Sequence, residues 1–183
     1  MKKKFFVILI FFFMGLSEVF ADKRKDQLDK LFKELKVDNP VLNSEVEQKI
    51  WKIWSTHPNK NNLTLMLSEG SNLVKNNQLY EAVQIFTKVI ALDPKWAEAW
   101  NKRATVLYLL GEFQRSQDDI DKVLELEKRH FGALAGQGLV NIKLKNYEKA
   151  IESYEKALEI YPSMQSPEVM IKEIEALIKQ DLI

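Results

Sequence analysis

The sequence predicts an all-α protein built as a stack of like helix pairs. Three observations carry that prediction. Residue types recur in columns spaced 34 apart: Pro94, Lys128 and Pro162; Ala82, Ser116 and Ala150; Phe86, Ile120 and Tyr154; Val89, Val123 and Ala157. Between the columns, apolar residues fall at the i, i+3, i+4 spacing of a helix face. Proline punctuates the ends, where its missing N–H and its ring stop one helix and start the next. Bulk composition agrees. The chain has 183 residues, 46% of them hydrophobic, enough for one domain with a real core.

Composition also excludes chemistry. The chain has no cysteine, so disulfides, thiolate metal sites and cysteine nucleophiles are absent. Formal net charge is +1, with both signs interleaved after the N-terminus, which argues against nucleic acid as a partner.

The first element, residues 1–21, reads as a signal peptide. Lys2, Lys3 and Lys4 precede an apolar run from Phe5 to Leu16, and Val19 and Ala21 stand at the −3 and −1 positions of a cleavage site before Asp22. The run is shorter than the roughly 20 residues a helix needs to cross a bilayer. An uncleaved N-terminal anchor is the competing reading. No cysteine is there to carry a lipid. Removing the segment takes Lys+Arg from 27 to 24 and Asp+Glu from 26 to 25, leaving −1.

Residues 22–62 predict an N-terminal cap of two helices. Leu28, Leu31, Phe32 and Leu35 form one apolar stripe, and Asn39-Pro40 breaks the chain. Ser44 with Glu47 reads as a capping box opening a helix with Val46, Ile50, Ile53 and Trp54, which Pro58 ends. The phase of Pro58 is two residues off the repeat, so the pair is set apart from the array.

Three units follow, 63–96, 97–130 and 131–164. Met66, Trp100 and Leu134 share a column, as do Gly70, Ala104 and Gly138; Asn77, Glu112 and Asn146 align within one residue. Lys128, where a proline is expected, predicts a looser turn over Glu127 to His130. Asn141, where a large apolar residue is expected, leaves the packing of the third unit in doubt. Residues 165–183 predict a C-terminal capping helix, with Ser166 capping, Pro167 at the first position, and Ile171, Ile174, Leu177 and Ile178 on one face.

These columns resemble the tetratricopeptide repeat (TPR). The pattern of an apolar residue at position 4, Gly or Ala at 8, a large residue at 11, Ala at 20, an aromatic at 24, a small residue at 27 and Pro at 32 is met by Met66, Gly70, Leu73, Ala82, Phe86, Val89 and Pro94 in the first unit. The resemblance implies an α-solenoid of antiparallel helix pairs in a right-handed superhelix. No unit buries its faces alone, so stacking is obligatory. Over nearly the whole mature chain the sequence is also similar to small exported TPR proteins of alphaproteobacteria, through "IWKIW" (Ile50 to Trp54), "AEAWNKRATVLYLLGE" (Ala97 to Glu112) and "RHFGALAG" (Arg129 to Gly136). That implies a cell-envelope protein and implies no activity.

No catalytic constellation emerges. His57 and His130 lie far apart in sequence and read as loop or helix-start histidines. Gly132, Gly136 and Gly138 sit on a predicted helix, where they are packing or groove residues and not a phosphate cradle. Asp118, Asp119 and Asp121 read as a solvated face. Trp51, Trp54, Trp96 and Trp100 read as packing and not as a ligand cage. The chain is expected to be no enzyme and to need no cofactor, metal or small-molecule substrate.

The resemblance places the concave groove at positions 2, 5, 9 and 12 of each unit: Thr64, Leu67, Ser71 and Val74; Glu98, Asn101, Thr105 and Tyr108; Gly132, Ala135, Leu139 and Ile142. The Lys, Arg and Asn clamp with which some TPR domains hold a peptide carboxylate is missing, only Asn101 fitting it. The expectation is an apolar groove for an extended segment or helix of another protein, with Asn101 and Thr105 bonding its backbone. The alternative is a groove filled by the protein's own terminal helix. The function so implied is a non-enzymatic adaptor, scaffold or assembly factor of the periplasm. The runner-up is the same role tethered to the inner membrane, with membrane contact only if the leader is kept. An enzyme hidden in the groove ranks last, with Glu98 its only carboxylate.

Overall fold

The computed structural model describes residues 23–37 and 39–181. The expected leader, residues 1–21, lies outside the described residues. Among the described residues there are nine helices and no strand: α1 (residues 23–35), α2 (Pro40–Ser55), α3 (Asn61–Lys75), α4 (Leu79–Leu92), α5 (Ala97–Leu109), α6 (Phe113–Leu126), α7 (Phe131–Lys143), α8 (Tyr147–Ile160) and α9 (Gln165–Asp181). The pairs α3/α4, α5/α6 and α7/α8 are the three repeats, and each pair packs on the next.

The turn inside each pair is the same structure three times. Asn77, Gly111 and Lys145 have φ of 59°, 78° and 60°. Each sits one residue past the C-cap of the first helix, and the next residue reaches back to the helix: Gln78 N–H to Leu73 O at 2.9 Å, Glu112 N–H to Leu107 O at 2.9 Å, Asn146 N–H to Asn141 O at 2.8 Å. This is the Schellman ending, which needs a left-handed residue and satisfies orphan carbonyls. The true column is therefore 77, 111 and 145.

The turns between pairs correct one expectation. Lys128 does not loosen its turn. The second helices α4, α6 and α8 are all 14 residues long. After each, the same backbone bond closes the turn: Trp96 to Asp93 at 3.3 Å, His130 to Glu127 at 3.1 Å and Met164 to Tyr161 at 3.1 Å. In the first two a carboxylate braces the turn as well, Asp93 Oδ1 accepting Lys95 N–H and Glu127 Oε1 accepting Arg129 N–H, both at 3.0 Å. Glu127 supplies by hydrogen bonding the constraint that proline supplies by its ring.

The helix crossings follow the small-residue columns. A Cβ on Gly70 would lie 2.5 Å from the Phe86 ring, and Gly138 meets the Tyr154 ring equally closely. Ser116, standing where alanine does in the other pairs, is fully buried and donates to Ala104 O at 2.8 Å. Asn141 is also buried, yet its amide donates to Gln137 O at 3.0 Å, so the third pair packs without an orphaned amide. The acidic run is only partly a solvated face. Asp118 and Asp121 are exposed, but Asp119 is buried and forms a two-point ion pair with Arg103 at 2.7 and 2.8 Å.

α9 closes the far end. Ile174 is buried against Ala150 and Tyr154, with Met170, Ile171 and Ile178 beside it. The helix opens at Gln165, one residue before the expected capping Ser166, and Leu177 is 43% exposed and lies off the buried stripe.

The N-terminal helices depart most from expectation. α2 starts at Pro40, with Asn39 as N-cap accepting Leu42 N–H at 3.2 Å; the Ser44–Glu47 pair lies inside the helix. A proline at the first position suits a helix start, since its missing N–H is an orphan there anyway. α1 and α2 do not extend the stack beyond α3. Their apolar faces form one core with Phe131 and Tyr161, from the third pair, while the buried residues of α3 belong to a separate core with α4 and α5. The C-terminal end of α2 sits at the junction of the first two pairs, where Trp96 Nε1 donates to Trp54 O at 2.8 Å. Its N-terminal end reaches the turn before α9, where Asn43 Nδ2 lies 2.7 Å from Ser163 Oγ. α2 thus straps the starts of α5 and α7, with α1 packed on its back. Leu28, Leu31, Phe32, Leu35, Val46, Ile50 and Trp54 are all buried in that core. At about 1.5–3 kcal/mol each, such burial makes the strap part of the fold.

A candidate partner groove narrowed by its own strap

The strap sits on one column of the repeat. Trp96, His130 and Met164 end the three pairs at equivalent positions, and all face α2. The His130 ring stacks on Trp54 at 4.0 Å between centroids and 9° between planes. Met164 packs against the same core. Arg129 adds an ion pair to Asp29 of α1 and lies over the Phe32 ring at 4.3 Å.

Under the strap lies a buried polar network. His130 is the N-cap of α7: its Nδ1 accepts Ala133 N–H at 3.1 Å, which leaves Nε2 to donate to Glu98 Oε2 at 3.1 Å. Asn101 Nδ2 donates to the same oxygen at 3.0 Å, and Lys102 Nζ lies 3.1 Å from the other. Burial pushes the Glu98 carboxyl up. The His130 hydrogen bond and the Lys102 charge outweigh it and hold the group below its ordinary value. His57 repeats the device at the start of α3, with Nδ1 accepting the N–H groups of Asn59 and Lys60 and Nε2 2.8 Å from Asp93. His57 is a loop histidine and His130 a helix-start one, the two settings expected. Among the described residues no group of three or more His, Cys, Asp or Glu is placed to hold a metal.

The expected groove residues divide sharply. Leu67 is 2% exposed and belongs to the core of the first pair, so it is no partner contact. Thr64 is bound by the His57 backbone N–H at 2.9 Å, Ser71 donates to its own helix at Leu67 O, and Val74 packs on the first core. Glu98 is 1% exposed and Asn101 8%, each committed to the other. The expected role of Glu98 as a groove carboxylate does not survive this pairing; Asn101 still lines the open cavity, with its side-chain N–H already given to Glu98. A Cβ on Gly132 would lie 2.5 Å from Trp51 Cη2: the strap's indole fills that part of the groove. Ile142 is half-buried and packs with the α9 cluster.

What remains open is a cavity of about 350 Å³ between α5 and α7. Thr105, Tyr108, Ala135 and Leu139 line it, joined by Gly136, and Trp51 and Met164 wall it at the strap. Leu139 is 37% exposed and Thr105 is open to solvent. Lys102 is the single charged residue in the lining, its Nζ 5.8 Å from the Trp51 ring. Sequence reasoning named Gly136 as a packing or groove residue but missed Trp51, Met164 and Lys102. For Met164 a signal existed, in the large residues at 96, 130 and 164.

Comparison with known proteins agrees with this architecture. The tetratricopeptide repeat model matches residues 132–164. A TPR repeat-containing protein of Rhizobium etli is 30% identical over 136 residues, covering 70% of this chain and 66% of that protein. The Hsp70-Hsp90 organizing protein 1 of Glycine max is 31% identical over 97 residues, 53% of this chain but 17% of its own length. The chain thus spans just under two thirds of the first relative and a small part of the second. Among solved structures, the first TPR of Spaghetti (RPAP3) bound to an HSP90 peptide superposes with a TM-score of 0.62 at 21% identity, over 64% of this chain and 93% of that one. The TPR2B domain of yeast Sti1, in its pHsp70 complex, gives 0.61 at 19%, over 64% and 99%. At those identities the likeness concerns the fold alone. Repeat columns, Schellman turns, stacked helix pairs and these relatives together make the chain a member of the tetratricopeptide repeat family.

Proposed function

We propose that this protein is a non-enzymatic protein-interaction module that takes a segment of a partner protein between α5 and α7. The observation that carries the reading is the open, mostly apolar cavity of about 350 Å³ on the face that α2 leaves uncovered. Its size suits one or two apolar side chains of a helix or extended segment rather than a long peptide. The TPR neighbour bound to an HSP90 peptide supports a peptide-type ligand. A clamp on a terminal carboxylate is disfavoured here, because the Asn101 amide is bound to Glu98 and the nearest buried charge is negative. The pattern of residues 1–21 supports export to the periplasm, as an adaptor, scaffold or assembly factor of the envelope. The tethered alternative differs only in keeping that segment.

Affinity capture from the native organism tests the reading, comparing the wild type with a Thr105→Arg/Leu139→Glu variant. The partner is expected to be lost from the variant while its thermal unfolding is unchanged. Retention of the same partner by a folded variant rejects the groove. The mass of the N-terminal peptide in the recovered protein tests export with cleavage: a chain beginning at Asp22 supports it, and one retaining the apolar run favours the tether.

A further inference from the structure

We propose that the cleft between α1 and α2 docks on an anionic phospholipid surface, independently of the groove. The cleft has a volume of about 650 Å³, and four cations line it: Lys23, Arg24, Lys49 and Lys52. Among the described residues no carboxylate belongs to the lining. Arg24 holds the cleft in shape by donating to Thr56 O at 2.8 Å and to Ile53 O, which closes the C-terminal end of α2 and ties α1 to it. Those bonds leave its positive charge in the wall. Lys23, Lys49 and Lys52 are exposed, and none forms an ion pair with another described residue.

The charge is local. Residues 22–183 carry 24 basic and 25 acidic side chains, so the cluster is a patch on a balanced protein and not part of a general basic character. Two features select a lipid surface over an acidic protein segment. The cleft opens at Lys23, and the apolar run ends at Leu16, with six residues between them. Six extended residues span about 20 Å, so whenever that run is in a bilayer, during export or afterwards, the cleft lies within reach of the headgroups. The free cations are also lysines, which act as hydrated point charges suited to a layer of headgroup phosphates. A bidentate arginine fork would suit a single carboxylate instead.

The buried clusters draw only on residues from Leu28 to Ile178, so the chain from Asp22 onward carries the whole described fold. That chain is sedimented with vesicles of phosphatidylcholine, alone or mixed with phosphatidylglycerol. Binding is expected only to the mixed vesicles and is expected to fall with salt. Lys49→Glu/Lys52→Glu is expected to weaken it at least about 25-fold, taking about fivefold for each lysine lost at an anionic surface. Lys88→Glu/Lys143→Glu, elsewhere on the surface, is expected to leave it unchanged. Equal binding to both vesicle types, or indifference to the Lys49/Lys52 change, overturns the proposal. Binding of soluble poly-glutamate without binding of vesicles also overturns it and assigns the cleft to an acidic protein.

Discussion

Gly132 and Gly136 stand one turn apart on α7, and alanine at each isolates the contribution of the strap. At Gly136 a new Cβ meets nothing nearer than Ile120 Cδ1 at 3.7 Å, an ordinary contact. Replacing glycine by alanine in a helix interior then gains about 0.5–1 kcal/mol from the unfolded chain's lost freedom. At Gly132 the Cβ falls 2.5 Å from Trp51 Cη2 and 2.9 Å from Cζ2, more than 1 Å inside contact. The indole must move. Trp51 is packed edge-on against Trp54, His130 and Phe131 with centroids 5.3–5.5 Å apart, so movement disturbs the whole cluster. Overpacking of this kind costs about 1–3 kcal/mol. Urea unfolding of Gly132→Ala, Trp51→Leu and the double variant measures it. Gly136→Ala is expected to stabilise and Gly132→Ala to destabilise, with the Gly132 penalty relieved in the Trp51→Leu background by at least about 1 kcal/mol of coupling. Additivity of the two changes refutes the seating of α2 on α7.

Three further outcomes follow from buried groups. Glu98 is held below its ordinary value in the fold, so its contribution to stability is complete above the unfolded carboxyl pKa of about 4.3 and is lost as pH falls through the lower folded value. The urea midpoint should therefore drop on acidification across that range, and Glu98→Gln should flatten the drop; an unchanged slope contradicts the network. The Tyr154 hydroxyl is buried without a partner, and burial pushes its pKa up to about 12, so Tyr154→Phe should be neutral or stabilising by up to about 1 kcal/mol in thermal unfolding. Lys145 holds φ of 60° where Gly111 serves the equivalent turn, so Lys145→Gly should stabilise by up to about 1 kcal/mol, and a loss of stability would show that the lysine side chain contributes more than its backbone strain costs.

The array was legible because each of its rules is local or strictly periodic. Gly70, Gly138, Phe86 and Tyr154 announce their crossings by size at fixed spacing. The strap was legible only as the alternative of a groove filled by the protein's own terminal helix, because a stripe such as Leu28, Leu31, Phe32 and Leu35 says that a face is buried and not what buries it. Helices that cap the array and helices that fold across its groove share one pattern. The distinguishing contacts, Trp51 on Gly132 and Trp54 on His130, join residues about 80 positions apart with no repeat relation between them. Glu98 was misread for the same reason: its groove position is real, but its environment is set by His130 and α2. Lys128 misled differently, since Glu127 braces the turn by a side-chain bond that the missing proline concealed.

The most direct test of the account places a photoreactive side chain at Leu139, in the cavity between α5 and α7, and another at Lys88, outside it, in the chain as the native organism makes it. Irradiation is expected to give a covalent adduct with one partner protein from position 139 and none from position 88. An adduct from position 88 alone, or from neither, contradicts a partner bound in the groove that the strap leaves open.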